Sequence, residues 1–196
     1  MLSYKDSLKI LKKTNALFEG HFVLSSGLHS NKYIQCAKLL SFPKYSLKIC
    51  NSLSKKIKKK FPSVDLIISP ALGGIVIGYE IGRQLKVETI FSERVKGKID
   101  LRRNFSIKKN AKVLIVEDVI TTGKSIFECS KLVKKARAKL IGFACIIDRS
   151  NYKNLLIKKQ KIISHMKLNI PTYKKNKLPS FLKKIPITKP GSRYLR

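Results

Sequence analysis

Two carboxylates, Glu117 and Asp118, stand together after the apolar run Val113–Val116, and Thr121, Thr122, Gly123, Lys124 and Ser125 follow them. The run predicts a buried strand, and the renewed apolar spacing after Lys124 predicts a helix. A helix start offers unpaired N–H groups and a partial positive charge, both suited to a phosphate monoester. Gly123 lets the backbone come close to that phosphate, and the hydroxyls add donors. The paired acids suit a different group, because carboxylates repel phosphate but accept hydrogen bonds from a sugar diol. Together they point to a sugar phosphate. Gly123-Lys124-Ser125 is no nucleoside-triphosphate loop: that motif needs a glycine where Asp118 stands. As bare structure, the segment would be a strand–turn–helix with a polar cap.

The elements that must carry these residues alternate. Apolar, β-branched runs at Asp65–Ser69, Thr89–Ser92, Lys112–Val116 and Lys139–Asp148 read as strands, and Gly74–Leu85 and Lys124–Ala136 as helices. Such alternation predicts a buried parallel sheet with crossover helices. Ligands then sit beyond the carboxyl ends of the strands, in the loops after Ser69, Ser92, Val116 and Ile147. Upstream, the spacing predicts an N-terminal helix and a second over Lys44–Lys60. Between them two short strands join near Ser26-Gly27. Beyond about residue 151 one more strand, Ile162–Leu168, precedes a proline-punctuated tail expected to cap the first zone.

With 196 residues and 43% hydrophobic content, the chain suits one domain with a core. Lysines interrupt the N-terminal apolar residues, and the longest uncharged stretch, Leu66–Tyr79, is too short to span a membrane. Cys36, Cys50, Cys129 and Cys145 form no C-x-x-C pair and read as reduced thiols of a cytoplasmic protein. The three histidines show no ligand spacing, so no metal site built from side chains is expected. The net charge is +32, yet only eight of the 43 basic residues are arginine. Lysine is the weaker phosphate fork, so the excess reads mainly as solvated surface, with anion steering as its by-product and no nucleic-acid partner.

The segment Val113–Ser125 resembles the phosphoribosyl pyrophosphate (PRPP) motif of type I phosphoribosyltransferases. That resemblance implies that Glu117 and Asp118 meet the ribose hydroxyls. The run Val119, Ile120, Thr121, Thr122, Gly123, Lys124 and Ser125 completes the PRPP contact, with the 5-phosphate on residues 121–125. Other segments are similar to the orotate-specific members: His21–Leu40 to their hood, Ser69–Ile81 to their pyrophosphate loop with Gly73 and Gly74, and Phe91–Phe105 to their mobile catalytic loop. IIDRS at 146–150, IPTY at 170–173 and the terminal KPGSR are similar to the shorter bacterial and archaeal members.

The implied fold is α/β: a central parallel sheet flanked by helices, under a small hood built from the N- and C-terminal segments. Residues 1–60 and 151–196 would supply the hood segments and the last strand, and 61–150 the PRPP core. The implied reaction moves the phosphoribosyl group to orotate, releasing pyrophosphate and making orotidine 5'-monophosphate for pyrimidine synthesis. Thr121 and Arg149 would contact orotate, and Asp118, Arg94 and Lys98 would serve catalysis. Mg2+ would arrive on PRPP, and the loop would reach the site of the neighbouring subunit in a homodimer. Many members carry lysine where this chain has Gly73 and Ser25, and often a cysteine pair where it has Leu178 and Phe181. Two other readings remain open: transfer to a purine or to uracil, and a non-enzymatic PRPP sensor.

Overall fold

A computed structural model describes residues 1–24, 26–150 and 154–189. Ser25 and the KPGSR segment beyond Lys189 therefore lie outside the described residues. The chain runs α1 (Tyr4–Lys13), β1 (Leu17–Val23), β2 (His29–Ile34), α2 (Cys36–Leu40), α3 (Pro43–Lys60), β3 (Leu66–Pro70), α4 (Gly73–Leu85), β4 (Glu88–Val95) and β5 (Lys98–Asp100). It continues through β6 (Lys112–Ile120), α5 (Lys124–Lys135), β7 (Lys139–Asp148), β8 (Ile162–Lys167), β9 (Thr172–Tyr173), α6 (Ser180–Lys183) and β10 (Ile187–Thr188).

Six strands form the main sheet in the order β5-β4-β3-β6-β7-β8, all parallel except the edge strand β5. The predicted α/β architecture is therefore present. Its strands are apolar because helices cover both faces. Ile67, Leu114, Val116, Ala144 and Ile146 pack on one side with α3 and α4, while Ile68, Val113, Ile115, Phe143 and Cys145 pack on the other with α5. The four cysteines are buried and free.

The boundaries differ from the sequence reading where tertiary pairing extends a strand. β6 runs to Ile120, so Glu117 and Asp118 lie inside its last turn of pleat and not in a loop after Val116. β4 runs to Val95 because β5 folds back against it, a hairpin too short and polar to predict. The N-terminal helix α1 ends at Lys13, Asn15 takes a left-handed φ of 50°, and Leu17 opens β1. The tail residues of β9 and β10 add to either edge of the β1–β2 pair, making a second sheet in the order β10-β1-β2-β9. Among the described residues, no helix is long and apolar enough to cross a membrane.

Strand order reverses between β3 and β6: the chain leaves β3 for β4 on one side and returns to β6 on the other. A crevice opens at such a switch point. The two strands pair only as far as Ile68 with Ile115, and β3 then follows β4 to Pro70 and Ser92. The end of β6 is thus freed on that side. α4 starts at the same place and lies close against β3. A Cβ on Gly78 would collide with Ser69 Oγ, so glycine is what permits the close approach.

Candidate active site

Where β6 loses β3, its amides need other acceptors. The N–H of Asp118 donates to Glu117 Oε1 at 3.2 Å, and that of Val119 to Asp118 Oδ1 at 2.7 Å. The acid pair is thereby turned into the crevice and fixed. Neither carboxylate forms an ion pair among the described residues. Burial, reinforced by the neighbouring Asp118 carboxylate, pushes the Glu117 carboxyl well above the usual range, and burial also raises that of Asp118. Two half-buried acids without a cation make a site awaiting donors.

Gly73 and Gly74 face this pair from the start of α4. A Cβ on Gly73 would stand 2.9 Å from Asp118 Oδ2, and one on Gly74 3.3 Å from Glu117 Oε1. No side-chain cap closes the N-terminus of α4.

Beyond Ile120 the chain turns through Thr121 and Thr122 to Gly123, whose φ of 73° and ψ of 14° lie in the left-handed region. Gly123 has no side chain to cap α5; the Lys124 N–H makes a long bond to Thr122 Oγ1 at 3.4 Å, and the N–H groups of Ser125 and Ile126 remain open to a ligand. A cavity of about 380 Å³ lies over them, lined by Arg94, Glu117 and residues 119–126. Glu117 stands at its junction with the crevice that holds Asp118 and Gly73.

Arg149 follows β7, and its N–H donates to Ile120 O at 2.9 Å, which ties it to the same strand ends. It does not pair with Asp148, whose Oδ1 accepts instead from the N–H of Ser150 at 2.8 Å. Nε of Arg149 is buried without a hydrogen-bond partner. Burial pulls the guanidinium below its usual value, a cost met only where the cation has a use. Tyr33 of β2 faces this group from the second sheet. It feels both Asp118 and Arg149, and burial raises its phenol. Its hydroxyl donates to Gln35 Oε1 at 3.1 Å.

The structure thus brings together Arg94, Glu117, Val119, Ile120, Thr121, Thr122, Gly123, Lys124 and Ser125 around one cavity, with Asp118, Gly73 and Gly74 in the adjoining crevice and Arg149 beside them. Lys98 is apart: it is exposed on β5, across a turn from Val95. Sequence reasoning passed over Tyr33 and Glu128. Tyr33 lies in a strand whose pairing, not its spacing, sets it opposite the acids. Glu128 reads as an ordinary helix-surface acid until its ion pair with Arg94 is seen. Among the described residues, no three His, Cys, Asp or Glu side chains converge as a metal site.

Residues 43–173 match the model of the phosphoribosyl transferase domain family. An orotate phosphoribosyltransferase of Chlorobium phaeobacteroides (strain BS1) is 47% identical over 188 residues, covering 96% of this chain and 95% of its own. One of Caldicellulosiruptor saccharolyticus is 44% identical over 96% of this chain and 97% of its own. Among solved structures, orotate phosphoribosyltransferase from Aeropyrum pernix aligns with a TM-score of 0.69 at 22% identity, over 82% of this chain and 92% of that one. An adenine phosphoribosyltransferase aligns with a TM-score of 0.65 at 16% identity, over 80% of this chain and 99% of that one. At those identities the structural likeness speaks for the fold alone, whereas the sequence relatives share nearly the whole chain. By that measure the chain belongs to the orotate phosphoribosyltransferases of the phosphoribosyltransferase family.

Proposed function

We propose that this chain transfers the 5-phosphoribosyl group of PRPP to N1 of orotate, forming orotidine 5'-monophosphate and releasing pyrophosphate. The observation that carries the reading is the junction of two unlike subsites at Glu117: an unpaired acid pair on one side, open helix amides on the other. The acids accept the ribose hydroxyls. Thr121–Ser125 and the first amides of α5 hold the 5-phosphate. The amides at Gly73 and Gly74 face the pyrophosphate, for which this chain offers no lysine at position 73. Thr121 and Arg149 take orotate, and the Arg149 guanidinium, whose Nε has no partner, supplies the cation that its carboxylate requires.

The C1–O bond to pyrophosphate breaks as C1 of the ribose acquires positive charge, and N1 of orotate, having given its proton to water, bonds to C1. Orotate N1 is itself the nucleophile and acidic enough that no nucleophilic residue of the chain is required, so the chain works by holding both partners in line and stabilising charge as it develops. Asp118 holds the ribose where C1 meets N1. Arg94 and Lys98 reach the leaving pyrophosphate when the β4–β5 hairpin closes, and in the homodimer this hairpin serves the neighbouring subunit. Mg2+ would arrive on the substrate, which leaves Glu117 and Asp118 to the ribose hydroxyls. When bound, the ion neutralises charge on the pyrophosphate.

The chain acts as a single domain in the cytoplasm, with residues 61–150 as the PRPP core and the flanking segments as its hood, and needs neither nucleic acid nor membrane. The test is a reaction of protein, PRPP, Mg2+ and each candidate base. Loss of orotate matched by gain of orotidine monophosphate supports the reading. Activity with adenine, guanine or uracil alone overturns it in favour of another base. PRPP binding with no turnover on any base overturns it in favour of a sensor.

A further inference from the structure

The hairpin expected to close over pyrophosphate is fastened to its own chain. Arg94, near the end of β4, donates from one terminal nitrogen to Gly97 O at 2.5 Å and from the other to a carboxylate oxygen of Glu128. Glu128 projects from the second turn of α5, the helix whose first amides open into the phosphate cavity. Its side chain is 22% exposed and that of Arg94 40%, so the pair is partly shielded from water. Arg94 therefore lines that cavity with its terminal nitrogens already engaged.

A second tie lies at the far end of the segment. Arg103 bonds Glu93 Oε1 at 3.0 Å and stacks over the Phe91 ring at 5.5 Å. Lys96, Lys98 and Arg102, by contrast, form no ion pair among the described residues.

We propose that Glu128 is a positioning residue for the reaction: it holds Arg94 on the rim of its own chain's phosphate cavity until a diphosphate takes the guanidinium over. The inference rests on the reading of the hairpin as directed to pyrophosphate. An arginine binds phosphate best through two parallel N–H bonds, and here both terminal nitrogens must first leave their intrachain acceptors. One carboxylate is a weaker partner than a diphosphate bearing several charges, so the exchange favours the substrate. Until it occurs, the pair also neutralises a carboxylate that would otherwise repel phosphate at the cavity mouth. Glu128 thus sets the threshold at which the hairpin leaves α5.

The experiment compares the full-length protein with Glu128→Ala and Glu128→Gln. Trypsin cleavage at Lys96, Lys98, Arg102 and Arg103 in the absence of ligand reports the fastening directly. It becomes several-fold faster in Glu128→Ala, with Glu128→Gln between the two because it keeps an acceptor without the charge. KM for PRPP falls by about two- to fivefold in Glu128→Ala, the scale of one partly exposed ion pair, while kcat stays within twofold. Inorganic pyrophosphate, titrated by calorimetry, binds tighter by the same factor. Unchanged cleavage, or a KM that rises, overturns the proposal. An unaltered Tm shows that the variants fold. A wild-type protein that makes no orotidine monophosphate sinks the assigned reaction instead, and the cleavage result then still judges the fastening.

Discussion

Gly73 and the Asp118 carboxylate occupy one space: a Cβ on residue 73 would lie 2.9 Å from Oδ2, 3.0 Å from Cγ and 3.0 Å from Oδ1 of Asp118. With glycine at position 73, the Asp118 carboxylate lies against bare backbone. Gly73→Ala must swing the carboxylate away from the crevice. KM for PRPP should rise about tenfold, the scale expected of a misplaced substrate-holding group. KM for orotate should be unchanged, because Arg149 does not touch this contact. Steady-state kinetics with each substrate varied separately checks it.

The acid pair is costly to the fold. Both carboxyls have folded pKa values above their unfolded ones, so near neutral pH the pair destabilises the native state, and the penalty fades as protonation sets in at lower pH. Asp118→Asn should therefore raise stability by on the order of 1 kcal/mol, about 2–4 °C in Tm for a chain of this size. It should also weaken PRPP use. Calorimetric melting beside activity checks both: a variant that loses stability together with activity would show Asp118 to be structural.

Lys98→Ala removes an exposed cation that bonds to nothing in the described structure, so Tm should not move. Turnover at saturating PRPP should fall by about a hundredfold if Lys98 meets the leaving group in the closed state. Full turnover would exclude Lys98 from the reaction.

Arg149→Ala deletes a cation whose Nε is buried without a partner. KM for orotate should rise by roughly a hundredfold or more, because the orotate carboxylate would be left unpaired. Stability should hold or improve, since a half-buried charge that burial disfavours is gone. Isothermal titration with orotate and a melting curve report the two effects.

His165 gives the fold a pH dependence opposite in sign to that of the acid pair. Its Nε2 lies 2.7 Å from Ser7 Oγ, and the Ser7 hydroxyl is also 2.7 Å from Ser3 O, so the neutral ring fits as the donor to Ser7. Burial, with Lys56 nearby, lowers its pKa to about 4. The unfolded chain takes up this proton first as pH falls, so stability declines from about pH 6.5 down to about 4. The span is worth roughly 3 kcal/mol at 1.36 kcal/mol per pH unit. Urea denaturation of the wild type and His165→Gln across that range checks it: the variant should show a shallower decline.

The main sheet was legible because its strands are apolar on both faces and its helices keep a 3.6-residue period. β7 and α3 fall within a residue of their expected bounds for that reason. The turn after β6 was legible because a glycine among hydroxyls, between an apolar run and a helical period, marks a strand–turn–helix, and Gly123 does take a left-handed φ there. What escaped was set by distant pairing. β5, β9 and β10 are two or three residues long, and each exists only because another strand offers an open edge. Tyr33 and Glu128 escaped likewise, for their importance lies in what faces them across the fold.

The most direct test of the whole account is a crystal structure of the protein with PRPP and Mg2+. The ribose hydroxyls should lie within hydrogen-bond distance of the Glu117 and Asp118 carboxylates, and the 5-phosphate on the N–H groups that begin α5. PRPP bound elsewhere on the chain, or in this crevice with its phosphates reversed, would contradict it.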